Sequence, residues 1–268
     1  MKGIIAYYST TGNTALVCRF VKAQMPSIDF DLHDVTKDGG FDPAGYGIVG
    51  FATFADELRI PELMRAFISS LRTGRGSHAF VFNTFGSISG RTLNDLVRAA
   101  GLAGFGVIAA ASIHMPENYP PIIKTGLAFE GQPDARQGAR LRRFIDGIDA
   151  GIRRIREGKD VRTIRPSGLI SMLPLPPRFL TRMQSGSFEC DTEKCTRCMS
   201  CVAGCPRRAI TFSDRIVVDR NACRFCWKCY NICPANAIRG TKFGSGFQYR
   251  PDAARLRERL AAILPPSR

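Results

Sequence analysis

The sequence lacks any uninterrupted apolar run of the roughly 18 residues that a membrane-spanning helix requires. Its N-terminal stretch MKGIIAYYS continues into a hydroxyl-rich loop and not into a small-residue cleavage site, so it does not have the pattern of a signal peptide. We therefore expect no transmembrane segment and a cytoplasmic location. In that reducing compartment, the ten cysteines are not expected to form disulfide bonds.

Histidine and tryptophan are scarce, with three and one occurrences. His33, His78 and His114 are far apart, and no motif of a nucleophilic active site accompanies them. We interpret these histidines as structural, and the sequence indicates no catalytic residues. The only tryptophan, Trp227, lies within a cluster of cysteines.

A length of 268 residues allows one sizeable hydrophobic core and a smaller second one, which predicts two domains. Positive charge is unevenly distributed between the two parts. Residues 1–160 contain 19 Lys and Arg against 16 Asp and Glu, whereas residues 161–268 contain 19 against 7. The formal net charge of +15 therefore belongs largely to the C-terminal part.

Residues 1–160 alternate between strand-like and helix-like segments. Five short apolar segments have the character of strands, and the second alternates polar with apolar residues as an edge strand does. These segments lie at 3–9, 28–34, 46–51, 78–83 and 106–113. Segments with helical apolar spacing separate them, and a long helix at 134–155 follows. This alternation predicts an α/β fold, a doubly wound five-stranded parallel sheet with strand order 2-1-3-4-5.

Regular patterning stops between residues 161 and 187, where four prolines break any sustained period. We predict a linker there, between a first domain at 1–160 and a second at 188–241. Its apolar core, GLISMLPLPPRFL, is interpreted as packing along the surface of the protein's own domains, with membrane-surface or partner docking as the alternative. Residues 242–268 form a tail, in which PDAARLRERLAAILP predicts a short closing helix.

The second predicted domain contains an internal repeat with a period of 28 residues. CTRCMSCVAGCPRRAI begins at Cys195, and CRFCWKCYNICPANAI begins at Cys223. Both segments follow the pattern C-x2-C-x2-C-x3-C-P-x-x-A-I, and AITFSDRIVV between them predicts a strand, a turn and a strand. Nine of the ten cysteines lie between Cys190 and Cys233, which indicates a metal site.

Three thiolates spaced by two residues can surround three irons of one cubane, while a fourth Cys followed by Pro reaches the neighbouring cluster. The spacing therefore predicts two [4Fe-4S] clusters with exchanged ligands. The first is assigned Cys195, Cys198, Cys201 and Cys233, and the second is assigned Cys223, Cys226, Cys229 and Cys205. Zinc is the alternative for four-thiolate sites, but zinc sites use paired C-x2-C hooks and not triplets with a trailing C-P.

Over residues 188–241 the sequence resembles the bacterial two-cluster ferredoxins, and both cysteine motifs are complete. The resemblance implies a small α+β domain that carries two [4Fe-4S] clusters and transfers electrons. Cys190 and Cys18 match no ligand position of this pattern. Although Cys190 lies near the first triplet, we interpret it as a buried thiol, and Cys18 as a residue of the first helix.

A hydroxyl-rich loop without Lys or Arg follows the first predicted strand. Its residues are Ser9, Thr10, Thr11, Gly12, Asn13 and Thr14. Hydroxyl groups, backbone N–H groups and the N-terminus of the next helix together favour an anion. The loop lacks the Gly-Lys-Ser/Thr of triphosphate-binding loops, so a single phosphate monoester is the anion that suits it best.

Residues 1–155 resemble the flavodoxins, which bind the phosphate of FMN with a loop at this position. The resemblance implies FMN as a cofactor, with its isoalloxazine ring between the loops at 51–57 and 83–90. The flavin contacts that it implies are Thr53, Phe54, Thr84, Phe85, Gly86 and Ser87. Flavodoxins commonly stack Trp and Tyr on the flavin, but this region has no Trp. Phe54 and Phe85 are therefore the stacking candidates, with ordinary packing as the alternative.

The whole chain resembles proteins that fuse a flavodoxin-like domain to a bacterial two-cluster ferredoxin, and HMPENY at residues 114–119 is part of the resemblance. This segment is interpreted as lining for the flavin or for the domain interface, with a surface loop as the alternative. The resemblance implies an electron carrier that connects FMN and the two clusters to an external redox protein. Two other functions stay open: a flavin-dependent reductase of a small substrate that uses the clusters as internal electron wires, and a docking module that has the fold but no flavin.

Basic residues flank both cysteine motifs and partly offset the negative charge of the clusters. They are Arg197, Arg207, Arg208, Arg215, Arg220, Arg224 and Lys228. The remaining positive charge predicts an acidic protein partner, such as a small ferredoxin or flavodoxin. Nucleic acid is the other candidate for a basic surface, but the basic residues lack a groove motif with interleaved aromatics, so we expect no nucleic-acid binding.

Overall fold

The computed structural model describes residues 1–37, 39–71, 73, 76–175, 183 and 186–264. Residues 176–182 and 184–185 of the predicted linker, and 265–268 of the predicted tail, lie outside the described residues. By its internal contacts the chain divides into two units. The first comprises Met1–Pro116, Phe129–Pro174 and Asp252–Arg268, and the second comprises Glu117–Ala128 and Leu175–Pro251. Compared with the ranges predicted from the sequence, the segment at 117–128 joins the second unit and the C-terminal helix joins the first.

The first unit is built on a five-stranded parallel sheet. Its strands are β1 Lys2–Tyr7, β2 Asp29–Asp34, β3 Ile48–Phe54, β4 His78–Phe85 and β5 Gly106–His114. The strand order is β2-β1-β3-β4-β5, and every neighbouring pair is parallel. The predicted fold class and strand order are therefore confirmed. The order reverses between β1 and β3, so the loops after these strands lie at the switch point where such sheets bind ligands.

Longer helices cover both faces of this sheet. They are α1 Asn13–Gln24, α2 Glu62–Ser70, α3 Thr92–Leu102 and α5 Ala135–Arg156, while the short α4 Pro120–Ile123 belongs to the second unit. Apolar residues of α1 and α5 share one core, and those of α2 and α3 share a second core. Ile5 joins the first core and Ile4 joins the second, because successive strand residues point to opposite faces. Because helices cover both faces of the sheet, a buried strand is apolar along its whole length, which explains the apolar runs in the sequence.

The described part of the predicted linker is tied to the first unit by polar contacts. It contains the short helix α6 Gly168–Ser171, and Asn94 of α3 donates to Ser171 Oγ at 2.8 Å. Leu169 and Met172 are 79% and 80% exposed. The interpretation that this apolar segment packs along the protein surface is therefore wrong for these two side chains. Asn94 contacts the segment at the Ser171 hydroxyl and the Ser167 N–H, and both apolar side chains remain exposed.

The second unit repeats its own structure after 28 residues. The first half contains β6 Phe188–Cys190, α7 Ser200–Gly204 and β7 Ile210–Phe212. The second half contains β8 Ile216–Val218, α8 Lys228–Ile232 and β9 Ile238–Gly240. β6 pairs with β9 and β7 pairs with β8, both antiparallel. Each pair takes one strand from either half, so the halves complete each other, as expected for a small α+β domain.

The repeat extends to unusual backbone conformations. Residues other than glycine adopt left-handed φ angles at equivalent positions of the two halves. They are Arg197, Met199 and Arg208 in the first half, and Phe225, Trp227 and Asn236 in the second. Such conformations cost free energy and persist where the surrounding structure requires them. Both halves therefore form cysteine loops of the same strained shape.

The C-terminal helix, α9 Ala253–Ile263, packs in the first unit. Leu256 and Leu260 join the core that also contains residues of α1 and α5. Gly138 of α5 permits this close approach, because a Cβ atom there would lie 2.6 Å from the Ile263 carbonyl oxygen. Among the described helices of both units, none is long and apolar enough to cross a membrane.

Candidate cofactor sites

The cysteines of the repeat line two separate cavities. The first cavity is lined by Cys195, Cys198, Cys201 and Cys233. The second cavity is lined by Cys205, Cys223, Cys226 and Cys229. Each cavity thus takes three cysteines from one motif and the fourth from the other motif, which is the grouping that the spacing predicts. In the described ranges, no group of three or more His, Cys, Asp or Glu side chains is arranged to hold a single metal ion.

The fourth cysteine of each motif is held by a backbone N–H group. Ala209 N donates to Cys205 Sγ at 3.3 Å, and Ala237 N donates to Cys233 Sγ at 3.2 Å. These two contacts are equivalent in the repeat. A donor directed at a sulfur stabilises negative charge there, so both contacts favour thiolate ligands.

Burial opposes a free thiolate at the inner cysteines. It raises the pKa of Cys201, and it raises the pKa of Cys229 well above its usual value. At the exposed Cys198, hydrogen bonds with Ser200 lower the thiol pKa. Because a metal deprotonates the thiols that it binds, buried cysteines of this kind suit metal ligation better than free nucleophilic chemistry.

Cys190 also lines the first cavity, and it is half-buried, so the interpretation of it as a plain buried thiol is incomplete. It ends β6, and the equivalent residue at the end of β8 is Val218. Burial and a side-chain hydrogen bond with Cys195 raise the pKa of Cys190 to about 12. Cys18 is confirmed as a buried residue of the first helix.

Aromatic side chains enclose the second cavity. Phe188 and Trp227 line it, and their ring centroids lie 4.9 Å apart in an edge-to-face arrangement. Tyr230, which is fully buried, contacts Trp227 with a centroid distance of 5.4 Å. The equivalents of Trp227 and Tyr230 in the first half are Met199 and Val202, and both are half-buried. Aromatic rings therefore line the second cavity, whereas the described residues that line the first include none.

The segment that follows β5 contributes to this aromatic cluster. Tyr119 meets Trp227 edge-to-face at 5.5 Å, and Asn118 O accepts from Asn231 Nδ2 at 3.0 Å. Glu117 is 5% exposed, and its carboxylate accepts from the N–H groups of Asn118 at 2.9 Å and Tyr119 at 3.0 Å. Sequence reasoning missed this role, because nothing in HMPENY indicates contact with a cysteine motif 110 residues further along the chain.

The predicted phosphate loop lies between β1 and α1. Thr10, Asn13 and Thr14 of this loop are buried. Ser9 and Thr11 are half-buried, and Gly12 is exposed. Gly12 has a φ of 101°, and a Cβ atom there would meet nothing within 4 Å, so glycine is required for conformation and not for space. Ser9 Oγ accepts from Gly12 N at 3.1 Å. The first turn of α1 contains no acidic residue, so the helix N-terminus keeps its positive partial charge toward the loop.

Contacts of the loop connect it to the neighbouring strands. The hydroxyl oxygens of Thr14 and Thr84 lie 2.8 Å apart, and Asn13 Nδ2 donates to Pro116 O at 3.0 Å. Asn13 thus has a structural role that the sequence did not indicate. Thr53, near the end of β3, is fully buried, and its Oγ1 has no hydrogen-bond partner within the described part of the chain. A buried hydroxyl without a partner costs free energy, so this position suits a bound polar group.

The two stacking candidates begin the loops after neighbouring strands. Phe54 ends β3 and meets Tyr8 with a centroid distance of 5.0 Å. Phe85 ends β4 and stacks on His114, with centroids 5.0 Å apart and ring planes 4° apart. One face of Phe85 is therefore occupied by His114. The rings of Phe54 and Tyr8 meet edge-to-face, at an angle of 60° between their planes, and so do not stack in parallel as Phe85 and His114 do.

A hydrogen-bonded network that the sequence analysis missed organises the loop after β4. Asn83 Nδ2 donates to Ser89 Oγ at 3.0 Å, and Asn83 Oδ1 accepts from Ser112 Oγ at 2.6 Å. The predicted flavin contacts Gly86 and Ser87 lie in this loop and are half-buried. The signal for Asn83 is present in HAFVFN, where an amide follows the apolar run AFVF.

The cysteine-rich part of the chain matches a known protein family. Residues 191–211 and 216–239 match the family model of the 4Fe-4S binding domain. The chain thus joins an α/β domain with the flavodoxin-like strand order to a region that matches the 4Fe-4S binding domain model. Pyruvate synthase subunit PorD of Methanocaldococcus jannaschii is 40% identical over 50 residues, which are 18% of this chain and 58% of that protein. The chain therefore spans little more than half the length of this curated relative.

Solved flavodoxins are similar to the flavodoxin-like part at low identity. The flavodoxin of Streptococcus pneumoniae TIGR4 is 16% identical, with a TM-score of 0.43, and the comparison covers 56% of this chain and 99% of that one. A flavodoxin from the domain Archaea is 15% identical, with a TM-score of 0.41, and the comparison covers 57% of this chain and 99% of that one. The fold assignment rests on the strand order of the sheet itself.

Proposed function

We propose that this protein is an iron–sulfur flavoprotein that carries electrons. In this proposal the flavodoxin-like domain binds FMN, the 4Fe-4S binding domain binds two [4Fe-4S] clusters, and an external acidic redox protein is the partner. The observation that carries the proposal is the grouping of the cysteines, three from one motif and one from the other, around each of two cavities. Exchange of the fourth ligand is the rule for motifs with a trailing C-P in two-cluster ferredoxins.

The eight motif cysteines are the proposed cluster ligands. Cys195, Cys198, Cys201 and Cys233 hold the first cluster, and Cys223, Cys226, Cys229 and Cys205 hold the second. The backbone N–H groups of Ala209 and Ala237 support this assignment, because they donate to the sulfurs of the two exchanged ligands. Hydrogen bonds to ligand sulfurs and the exposure of a cluster tune its reduction potential.

The FMN site is proposed at the carboxyl ends of β1, β3 and β4. The proposed phosphate ligands are the hydroxyl and backbone N–H groups of Ser9, Thr10, Thr11, Gly12, Asn13 and Thr14. Thr53, Phe54, Thr84, Phe85, Gly86 and Ser87 are proposed to contact the rest of the cofactor. The buried Thr53 hydroxyl, which has no partner among the described residues, supports this site. FMN, when bound, accepts two electrons and releases them singly, which matches clusters that each take one.

The lack of Lys and Arg in the phosphate loop is consistent with a carrier of low potential. Backbone dipoles and hydroxyl groups bind a phosphate without adding a full positive charge. A cation beside the flavin would favour its reduced anion and so raise the potential. The left-handed φ of Gly12 shapes this loop, and glycine adopts that conformation without the steric cost that other residues incur.

An acidic partner is proposed from the charges that surround the cavities. Arg197 lines the first cavity, and Arg207 and Arg224 line the second. All three side chains are exposed. A basic surface of this kind steers an acidic protein toward the cluster domain and raises the association rate at low ionic strength.

Cofactor analysis after anaerobic purification tests the proposed function. We expect about eight iron and about eight acid-labile sulfide per chain from two cubanes, together with an equimolar amount of FMN released by acid. About four iron per chain would contradict the second cluster. Bound zinc in place of iron would contradict the electron-carrier function altogether. The absence of FMN would contradict the proposed flavin site and would favour a docking module as the role of the first domain.

A second assay separates a carrier from a reductase. Reduced protein is mixed with small oxidants, and oxidation is followed with and without an added acidic ferredoxin. A carrier turns over steadily only when the second redox protein is present. Steady consumption of a small oxidant without it would favour the flavin-dependent reductase.

A further inference from the structure

The sheet of the first unit has an edge at β5, the last strand in the order β2-β1-β3-β4-β5. Met115 N, just after this strand, donates to Phe85 O of β4 at 2.9 Å, whereas His114 N donates sideways to Gln137 Oε1 of α5 at 3.1 Å. Backbone groups alternate in direction along a strand. The even-numbered residues that precede His114 therefore direct their N–H and C=O groups away from β4, toward the open edge.

The outward groups of β5 are paired near both ends of the strand. Ile164 N, from the segment after α5, donates to Val107 O at 2.7 Å, and Arg140 Nη1 of α5 donates to Ser112 O at 3.0 Å. Between these two contacts, no residue in the described part of the chain pairs with the outward N–H and C=O groups of Ala110. Unpaired edge groups of this kind are a template for a further strand.

The segment that contacts Val107 does not continue along the edge. Pro166 has no N–H group to donate, and Ser167 N donates to Asn94 Oδ1 of α3 at 2.6 Å. The chain's own segment therefore makes one backbone hydrogen bond with the edge, through Ile164, and then turns to α3.

An open groove, here called the β5 groove, runs along the unpaired stretch. Its floor consists of small side chains, which allow a second backbone to approach closely. Among the described residues that line it, two are arginines and none is acidic, and both Arg140 and Arg143 are exposed. The groove is lined by Leu93, Ile108, Ala109, Ala110, Ala111, Ser112, Arg140, Arg143, Phe144, Gly147 and Ile164.

We infer that the β5 groove binds an extended acidic segment of a partner protein, which adds to the sheet as a further strand beside Ala110. Backbone hydrogen bonds provide affinity in this mode of recognition, and side-chain contacts provide specificity. Carboxylates of the segment pair with Arg140 and Arg143, because a guanidinium binds a carboxylate through charge-assisted hydrogen bonds. A second copy of this chain is a poorer occupant, since pairing β5 with itself brings the arginines of two copies together.

The inference goes beyond the proposed function and does not depend on it. Every residue that lines the β5 groove belongs to the first unit, and none is a proposed ligand of FMN or of a cluster. Its tests therefore need neither iron nor flavin as a readout.

Binding of a fluorescein-labelled peptide of alternating Glu and Thr residues to the full-length protein tests the inference. Fluorescence anisotropy at low ionic strength is expected to show saturable binding. The control peptide has Lys in place of each Glu and is expected not to bind, because it meets the arginines with like charge. Equal binding of the two peptides, or binding of neither, would overturn the inference.

Ala110→Pro removes the outward N–H group, which β4 does not use. Proline is tolerated on an edge strand where the N–H faces solvent. We expect the affinity for the Glu-Thr peptide to fall about tenfold, the effect of one lost backbone hydrogen bond. Ala110→Ser keeps the N–H group and is expected to bind as the wild-type protein does. Unchanged affinity in an Ala110→Pro protein that unfolds cooperatively on heating would contradict strand addition.

Arg143→Glu tests the charge of the groove without changing the strand. It is expected to weaken binding of the Glu-Thr peptide several-fold at low ionic strength, and less at high salt. Arg156→Glu makes the same charge change in the last turn of α5, outside the groove, and is the control. If both variants weakened binding equally, the groove would not be the acidic site.

Hydrogen exchange distinguishes strand addition from binding elsewhere on the protein. The Glu-Thr peptide is expected to slow exchange of the Ala110 and Ser112 amides. Amides that already exchange slowly without peptide, and do not change when it is added, would mean that the edge is occupied and would refute the inference. A dimer in analytical ultracentrifugation that Ala110→Pro dissociates would refute it too, because the occupant would then be a second copy.

Discussion

The two halves of the cysteine repeat share a backbone but present different surfaces. In the first half Arg197 and Cys198 are exposed. In the second half the equivalent Phe225 is buried and Cys226 is half-buried. Left-handed φ angles recur at the same positions in both halves in spite of these differences. The comparison teaches that the cysteine spacing determines the loop conformation, whereas the residues between the cysteines determine how far solvent reaches each cavity.

This difference assigns distinct properties to the two proposed clusters. Solvent exposure is one of the factors that set the potential and chemical stability of an iron–sulfur cluster. The first cluster, with an exposed ligand at Cys198, is expected to exchange electrons with a partner and to react first with oxidants. The second cavity is lined by the buried Phe188 and Trp227, and Tyr230 packs against Trp227.

The largest expected effect tests whether the two halves exchange ligands. The double variant C201S/C233S removes two ligands of the first cluster, so we expect it to retain about four iron per chain. C229S/C233S removes one ligand from each cluster and is expected to lose nearly all iron. Iron and acid-labile sulfide are measured after anaerobic purification, with the single variants as controls.

The opposite result would show that each half binds its own cluster. In that arrangement C229S/C233S would keep about four iron per chain and C201S/C233S would lose nearly all of it. The two double variants share C233S, so a general effect of that substitution cannot produce the contrast between them.

The next largest effect concerns the aromatic cover of the second half. Trp227→Ala removes a buried ring that contacts Phe188, Tyr230 and Tyr119. We expect the free energy of unfolding to fall by about 3–5 kcal/mol, with faster iron release from the second cluster. Met199→Ala, the matched change in the first half, is expected to cost less, because Met199 is half-buried. Anaerobic denaturant titration and chelator-monitored iron release measure both effects, and equal losses in the two variants would contradict the difference in cover.

Left-handed backbone also distinguishes the loop after β1 from the cysteine loops. The phosphate loop uses glycine for this conformation, whereas the cysteine loops use Arg, Met, Phe and Trp. Gly12→Ala is expected to destabilise the protein by about 1–2 kcal/mol and to weaken FMN binding. Gly101→Ala is the control, since Gly101 lies in α3, and a Cβ atom there would meet nothing within 4 Å. Thermal unfolding and FMN titration measure the two variants, and equal behaviour would contradict a conformational requirement at Gly12.

The smallest expected effect concerns the charge at the exposed rim of the first cavity. Arg197→Gln removes one positive charge and is expected to slow electron transfer with an acidic partner several-fold at low ionic strength, and hardly at all at high salt. Stopped-flow measurements over a salt series give the rates. Arg255→Gln, which changes an exposed residue of α9 in the other unit, is the control. A slowdown in Arg197→Gln that did not depend on salt would contradict electrostatic steering.

Much of the architecture was predictable because it depends on local patterns. Apolar runs that end in loops predicted the five strands, and the edge-like alternation around Phe30 helped to predict the strand order. The spacing of the cysteines predicted that each cavity is lined by three motif cysteines of one half and the fourth of the other, because a fourth Cys followed by Pro turns away from its own triplet. Tertiary contacts were harder to predict: the hydrogen bond of Asn118 with Asn231, and the packing of Leu260 in the first unit, join residues that are distant in sequence.

Cys190 illustrates a further limit of sequence reasoning. Its position outside the C-x2-C-x2-C motif indicated no role. Only its place at the end of β6 brings it beside the motif cysteines that line the first cavity. Alignment of the two halves beyond the cysteines, which pairs Cys190 with Val218, is the signal that could have revealed the difference.

The central claim is that the two twin cysteine motifs together bind two iron cubanes, and EPR spin quantitation tests it most directly. Protein purified without oxygen is fully reduced and its spectrum is integrated against a standard. We predict a signal of reduced [4Fe-4S] clusters that integrates to about two spins per chain. A signal of about one spin per chain, or an EPR-silent protein that contains zinc, would contradict the claim.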